Sequence, residues 1–100
     1  MKIFISQPMS DKTMDEIIEE KKAALLKIKN SHPDAEIIDS FILESAPASY
    51  KDPGKYYILK SLGLLSDADL AIFLRGWEQY RGCRVEHEFA KNYGIEIKEE

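Results

Sequence analysis

The segment DLAIFL at residues 69–74 contains five consecutive apolar residues, which is the longest uninterrupted apolar run in the chain. A short run of this kind, rich in Ile, Leu and Phe, is typical of a parallel strand that is covered on both faces of its sheet. A membrane-spanning helix needs roughly 20 apolar residues. We therefore expect a buried strand here and no transmembrane helix.

Three further strands and three helices are predicted around this segment. Lys2–Ser6 is a second apolar run, and it ends at Pro8, whose ring removes a hydrogen-bond donor from the ladder. The helix predicted at 13–30 begins with Thr13 and Glu16 at the spacing of a capping box. The patterns further along the chain predict strands at 36–39 and 95–97 and helices at 56–65 and 82–93.

The apolar periodicity of the first two helices predicts which side chains they bury. For the first helix these are Met14, Ile17, Ile18, Ala24, Leu25 and Ile28. For the second they are Tyr57 or Ile58, Leu62 and Leu65.

The alternation of strands and helices predicts a doubly wound α/β fold of the flavodoxin or Rossmann-like kind. Right-handed crossovers place the helices on both faces of a short parallel sheet, which gives a three-layer sandwich. The simplest strand order for this arrangement is 2-1-3-4. With 100 residues and no internal repeat, the chain is expected to form a single domain over 1–100.

Composition and charge narrow the classes of partner. The 14 Lys and Arg residues against 18 Asp and Glu residues give a net charge of -4, so no overall positive field favours duplex DNA or an anionic membrane. The first residues lack the apolar stretch of a secretory signal, and one cysteine, Cys83, fits a reducing compartment. We expect a cytoplasmic protein that binds phosphate only locally.

In a doubly wound sheet the ligand crevice lies beyond the carboxyl ends of the strands, here between the first and the third. Two loops lie there: Gln7-Pro8-Met9-Ser10 and RGWEQYR at residues 75–81. In the second loop Trp77 and Tyr80 can stack on a planar ring, and Arg81 can bind phosphate or carboxylate beside a helix N-terminus. The alternative is that this loop packs its own aromatic residues as a lid or a subunit contact.

Glu86 is the candidate functional residue of the third helix. The residues within about 100° of it on a helical wheel are mostly apolar: Gly82, Cys83, Val85, Phe89, Ala90 and Tyr93. A carboxylate among such neighbours is costly unless it is partnered, faces a cleft or has a raised pKa, so it is a functional candidate. The alternative is a structural carboxylate stabilised by the helix dipole or paired with Arg81 or Arg84.

Several other chemistries are not supported by the sequence. His87 and Glu88 are adjacent on a helix and are expected to face solvent, and His32 lies at a helix stop, so we expect no metal site. The chain contains no GxSxG elbow, no Walker A pattern and no GxGxxG pattern. These absences argue against a serine hydrolase, an ordinary nucleoside triphosphatase and a dinucleotide oxidoreductase, and we expect no cofactor.

Two stretches carry a resemblance to known proteins: IFISQPMS at residues 3–10, and GWE at 76–78 followed by RGCRVEHEFA at 81–90. With these stretches, and over nearly its whole length, the chain resembles a small bacterial and phage family. That family is similar to the nucleoside 2-deoxyribosyltransferases and the deoxynucleoside monophosphate N-glycosidases, which share a doubly wound α/β fold. In those enzymes a glutamate followed four residues later by alanine attacks C1′ of the sugar, and Glu86 with Ala90 matches that pattern.

The resemblance also has departures. Transferases of this kind carry an acid in the helix before the third strand, whereas residues 56–66 contain none. They carry another acid six residues ahead of the nucleophile, where this chain has Tyr80. The residue that protonates the leaving base is therefore not assigned.

The resemblance implies an N-glycosidase or a deoxyribosyltransferase-like enzyme that acts at C1′ of a nucleoside or nucleotide through Glu86. The substrate-binding residues expected from the two loops are Gln7, Pro8, Ser10, Trp77, Tyr80, Arg81 and Gly82. The alternatives are a non-catalytic nucleotide-binding module and an oligomeric phage accessory protein. The loop at 40–54 carries Phe41, Ile42, Leu43 and Tyr50, more apolar residues than a solvated loop needs, so we expect a homodimer or larger assembly.

Overall fold

The computed structural model describes residues 1–38 and 46–100. Strands and helices alternate along the chain: β1 (Lys2–Ser6), α1 (Met14–Ser31), β2 (Glu36–Ile38), α2 (Pro53–Leu65), β3 (Leu70–Phe73), a short 3-10 turn (Trp77–Gln79), α3 (Arg81–Asn92) and β4 (Glu96–Glu99). Each predicted strand and helix is present. Asp39 and the apolar loop residues Phe41, Ile42 and Leu43 lie outside the described residues.

The sheet confirms the predicted topology. Its four strands are all parallel in the order β2-β1-β3-β4. The central pair places Ile5 beside Ile72 and Ser6 beside Phe73. The carboxyl ends of β1 and β3 therefore lie side by side at the middle of one edge, where a doubly wound sheet opens a crevice.

Two apolar layers cover the sheet, one on each face. Ile3, Ile5, Leu70 and Ile72 project to one face, where α1 contributes Ala24 and Ile28. Phe4, Ala71 and Phe73 project to the other face, where α2 contributes Leu65 and α3 contributes Ala90. This alternation is the period of two expected of strands buried on both sides, and it confirms the three-layer arrangement.

Two element boundaries differ from the predictions by two residues or more. α2 begins at Pro53 rather than at residue 56, because Asp52 caps it by accepting a hydrogen bond from the Gly54 amide at 2.9 Å, and proline suits the first helical position. β4 continues to Glu99, because Phe73 pairs with Glu99 through backbone groups that do not depend on apolar side chains.

Two side chains of α1 that were predicted to be buried, Met14 and Ile18, are exposed. α1 buries only a narrow stripe formed by Ile17, Ala24 and Ile28. Met14 is exposed because it lies one turn before this stripe, and Ile18 is exposed because it points away from it. Tyr93 is 75% exposed because it is the C-cap residue of α3 and lies outside helical geometry. Within the described ranges, no helix has both the length and the apolar composition needed to cross a bilayer.

The first prediction compares two leucines of α2. Leu65 is fully buried, whereas Leu59 is 61% exposed. Leu65→Ala should lower the free energy of unfolding by about 2–5 kcal/mol because it leaves a cavity in the core. Leu59→Ala should change it by less than about 0.5 kcal/mol. Urea unfolding measures both variants, and equal losses would contradict the described packing of α2.

Candidate functional site

A cavity of about 890 Å³ lies at the carboxyl ends of β1 and β3. Its volume is within the range of small-molecule sites. Three segments line it: the loop after β1, the first three turns of α2 with its N-cap residue, and the first half of α3 with the residue before it. The predicted site residues brought together in its wall are Gln7, Pro8, Ser10, Tyr80, Arg81, Gly82 and Glu86.

Glu86 lies in the wall of this cavity and is only 7% exposed. Its Oε1 accepts a hydrogen bond from the Ser6 hydroxyl at 2.6 Å. Burial raises the pKa of the Glu86 carboxyl, and hydrogen bonds from the hydroxyls of Ser6 and Ser61 offset part of that rise. The cavity therefore contains a carboxyl group that keeps its proton more readily than an exposed glutamate does.

The two arginines considered as partners of Glu86 are engaged elsewhere. Arg81 pairs with Asp52 at 3.3 Å, and Arg84 donates to the carbonyl of Glu78 at 3.0 Å. Within residues 1–38 and 46–100, Glu86 forms no ion pair. The structure does not support the alternative of a structural carboxylate neutralised by arginine.

Asp52 connects the starts of α2 and α3 at the cavity wall. It caps α2 through the Gly54 amide and holds the Arg81 guanidinium. The Gly54 amide, and then Arg81, lower the pKa of the Asp52 carboxyl. Gly54 leaves the space that this pair occupies, because a Cβ there would collide with the Arg81 guanidinium. The cavity thus has one ionised carboxylate in Asp52 and one buried carboxyl in Glu86.

Gln7 attaches the loop after β1 to helix α1. The buried Gln7 side chain donates its amide hydrogen to the carbonyl of Ile17 in α1 at 2.7 Å. Pro8 is also fully buried, whereas Ser10 is exposed at the cavity rim. Gln7 and Pro8 therefore shape the cavity as parts of the scaffold, and Ser10 presents a hydroxyl to it.

Tyr80 joins the two loops that border the cavity. Its hydroxyl donates a hydrogen bond to Asp11 in the loop after β1. This bond to a carboxylate raises the pKa of Tyr80 to about 12. The phenol is thus held as a neutral donor.

Trp77 does not line the cavity. Its indole stacks on the His87 imidazole, with ring centroids 4.1 Å apart and planes 8° from parallel, and it also contacts Phe73. His87 in turn bonds to Glu99 through Nε2 at 2.8 Å. The prediction that His87 faces solvent is wrong, because Trp77 covers its ring, and the expected position of Trp77 over the crevice is also wrong.

Four functional candidates were missed by the sequence reasoning: Ser6, Ser61, Asp52 and Lys55. Ser61 could have been found, because it lies on the stripe formed by Ile58, Leu62 and Leu65, where a buried hydroxyl needs a partner. Ser6 carries a weaker signal as the polar end of an apolar strand. Asp52 and Lys55 precede the predicted start of the second helix at residue 56, so no helix face indicated their direction.

Two further polar side chains of the cavity wall are the thiol of Cys83 and the phenol of Tyr57. Burial raises the pKa of the Cys83 thiol to about 11, so this thiol is a poor nucleophile. The Tyr57 hydroxyl accepts a hydrogen bond from the Ala46 amide at 3.1 Å. In the part of the chain that the structure describes, no three His, Cys, Asp or Glu side chains form a group able to hold a metal ion.

The fold and the cavity define a small doubly wound α/β domain with a ligand-sized site over its central strands. The sequence profile of one family, described as a domain of unknown function (DUF4406), matches residues 1–99, and the chain belongs to this family. No curated protein and no solved structure matches the chain.

The second prediction uses Trp77, the only tryptophan in the sequence. His87→Ala should shift its emission to longer wavelength, because removal of the stacked imidazole exposes the indole to water. Val85→Ala, a change in the cavity wall on the same helix, should leave the emission unchanged. Steady-state fluorescence measures both variants, and the opposite pattern would place Trp77 at the cavity.

The third prediction concerns the burial of Glu86. An acid whose pKa is raised by folding binds more protons in the native than in the unfolded state. The stability of the wild type should therefore fall as pH rises from the ordinary value of 4.5 through the raised pKa. Glu86→Gln lacks this loss, so its free energy of unfolding relative to wild type should increase over the same range.

Urea unfolding at several pH values tests this expectation. Glu88→Gln is the matched control, because Glu88 is exposed on the same helix. A relative stability of Glu86→Gln that falls with rising pH would contradict the described burial.

Proposed function

We propose that this protein cleaves or exchanges the N-glycosidic bond of a nucleoside or nucleotide, and that Glu86 attacks C1′ of the sugar. The observation that carries the proposal is the position of Glu86, a nearly buried carboxyl in the wall of a ligand-sized cavity with no cationic partner among the described residues. A carboxyl group without a structural ion pair is available for chemistry.

The proposed reaction has two displacements. A carboxylate oxygen of Glu86 forms a bond to C1′ while the C1′–N bond breaks, and the electron pair of that bond leaves with the base, which takes up a proton. Water or a second base then forms a new bond to C1′ and loses a proton, and the Glu86 carboxylate is released. Water gives hydrolysis and a second base gives transfer, and both retain configuration at C1′.

Other groups in the cavity wall suit the rest of such a substrate. Lys55 and Arg81 supply positive charge, and the amides of Gly82 and Cys83 lie in the first turn of α3, where no side chain caps the helix. Ser10 and Tyr80 supply hydroxyl groups at the same wall. These groups can bind sugar hydroxyls, the base or a phosphate, and Trp77 takes no part.

The raised pKa of the Glu86 carboxyl favours a second candidate function. A protonated carboxyl donates a hydrogen bond, so Glu86 can bind a ribose hydroxyl without reacting. The other acid in the described cavity wall, Asp52, is paired with Arg81, and none of the described groups is placed as an acid for the leaving base. This arrangement fits a non-catalytic nucleotide-binding module.

Assembly and location belong to the same proposal. A homodimer or larger assembly is proposed from the apolar loop and from exposed apolar side chains such as Leu26 and Leu59. Sedimentation of only an 11.5 kDa species at micromolar concentration would refute it.

A cytoplasmic location is proposed because the single cysteine is a free thiol.

The fourth prediction tests catalysis. The wild type is incubated with a panel of deoxynucleosides and their 5′-monophosphates, and chromatography measures the free base. Glu86→Gln should lower turnover by orders of magnitude while the protein stays folded, because the amide keeps the shape of the side chain but is not a nucleophile. Glu88→Gln, on the exposed side of α3, should keep wild-type turnover.

Turnover that survives Glu86→Gln would end the assignment of the nucleophile. Binding of nucleotides by calorimetry, with no base released by the wild type, would establish the binding module instead.

A further inference from the structure

Two serine side chains from different elements act on the Glu86 carboxyl. The Ser6 hydroxyl at the end of β1 lies 2.6 Å from Oε1, a distance typical of a hydroxyl that donates to a carboxylate. Ser61 in α2 lies in the wall of the same cavity, and its hydroxyl lowers the pKa of this carboxyl. Both serines are buried.

Both hydroxyls are held by regular structure rather than by loops. Ser6 pairs with Phe73 in the centre of the sheet, and its carbonyl accepts the Leu74 amide at 3.0 Å. Ser61 lies within α2, on the same stripe as the fully buried Leu65. The sheet and the helix therefore fix the direction of each donor before any ligand binds.

We propose that Ser6 and Ser61 are positioning residues, whose hydroxyls hold the Glu86 carboxylate in one orientation and stabilise its anionic form in place of a cation. The kinetic part of this proposal rests on the proposed function. The effect on ionisation does not, because the protonation of Glu86 is measurable without turnover.

The charged and titratable groups around Glu86 do not stabilise its carboxylate by a direct bond. The neighbours in the cavity wall are Asp52, Lys55 and Tyr57 from the α2 side and Tyr80, Arg81 and Cys83 from the α3 side. Among the described residues, none of them forms a hydrogen bond or ion pair with Glu86. The Cys83 thiol is neutral, and the charge of Arg81 is opposed by Asp52. The bond from Ser6, together with the hydroxyl of Ser61 in the same cavity wall, is then the direct stabilisation of the anion.

Loss of a hydroxyl has a specific kinetic signature. A hydrogen bond to a carboxylate stabilises the anion more than the acid, so its removal favours the protonated form. The acid limb of kcat/KM against pH should move to higher pH. At a pH on that limb the loss should be roughly tenfold for each hydroxyl, the value expected for one hydrogen bond to a charged group. A merely structural role would lower activity equally at every pH.

The experiment follows the side-chain carbon of Glu86 by NMR in protein labelled with ¹³C-glutamate, with the signal assigned through Glu86→Gln. Ser6→Ala and Ser61→Ala should each move the titration midpoint of Glu86 to higher pH. Ser61→Thr keeps a hydroxyl and should restore the wild-type midpoint. Ser66→Ala is the matched control, because the Ser66 hydroxyl donates to the Gly63 carbonyl at the exposed end of α2.

The outcomes separate this inference from the proposed function. An unchanged midpoint in both alanine variants would overturn the inference, whatever their turnover. A raised midpoint in a protein that turns over no substrate would uphold the inference for ionisation and remove the proposed reaction. If Ser6→Ala does not fold, Ser61→Ala decides the result by itself, because Ser61 lies in a helix rather than at the centre of the sheet.

Discussion

The parallel pairing of β1 with β3 is the constraint on which the rest of the structure depends. These two strands form the centre of the sheet, and each has a further neighbour on its outer side. The chain leaves β1 toward α1 on one face and leaves β3 toward α3 on the other. The two connections diverge, so the cavity opens between them, and its position follows from strand order rather than from any one side chain.

Burial of Glu86 is the main energetic cost of this arrangement. A carboxylate that leaves water without a cationic partner is unfavourable, and the raised pKa expresses that cost. Two hydroxyls on rigid elements offset part of it. Asp52 meets a different need, because it caps α2 and orients Arg81 with one carboxylate. The site thus combines Glu86, a buried carboxyl group with little stabilisation, with the ion pair of Asp52 and Arg81, which lies nearer to solvent.

The sequence was sufficient to predict the strand order, which follows from the alternation of strands and helices, and the burial of Glu86, which follows from apolar periodicity along one helix. The position of Trp77 could not be predicted in this way. Gly76 adopts a φ of 90°, and the chain turns there so that the indole lies over Phe73 and His87. Likewise, Gln7 lines the cavity as expected, but the bond from its amide to the Ile17 carbonyl was missed, because no local pattern identifies that carbonyl. Periodicity shows which face is buried and does not show which neighbour covers it.

The contact between His87 and Glu99 gives α3 a second support. Glu99 belongs to the last strand, whereas the neighbouring residue Glu86 is bonded to the end of the first strand. Two consecutive residues of α3 therefore bond to β1 and to β4. The helix that carries the Glu86 carboxyl is held at two points. A group mounted in this way needs little reorganisation when charge changes around it.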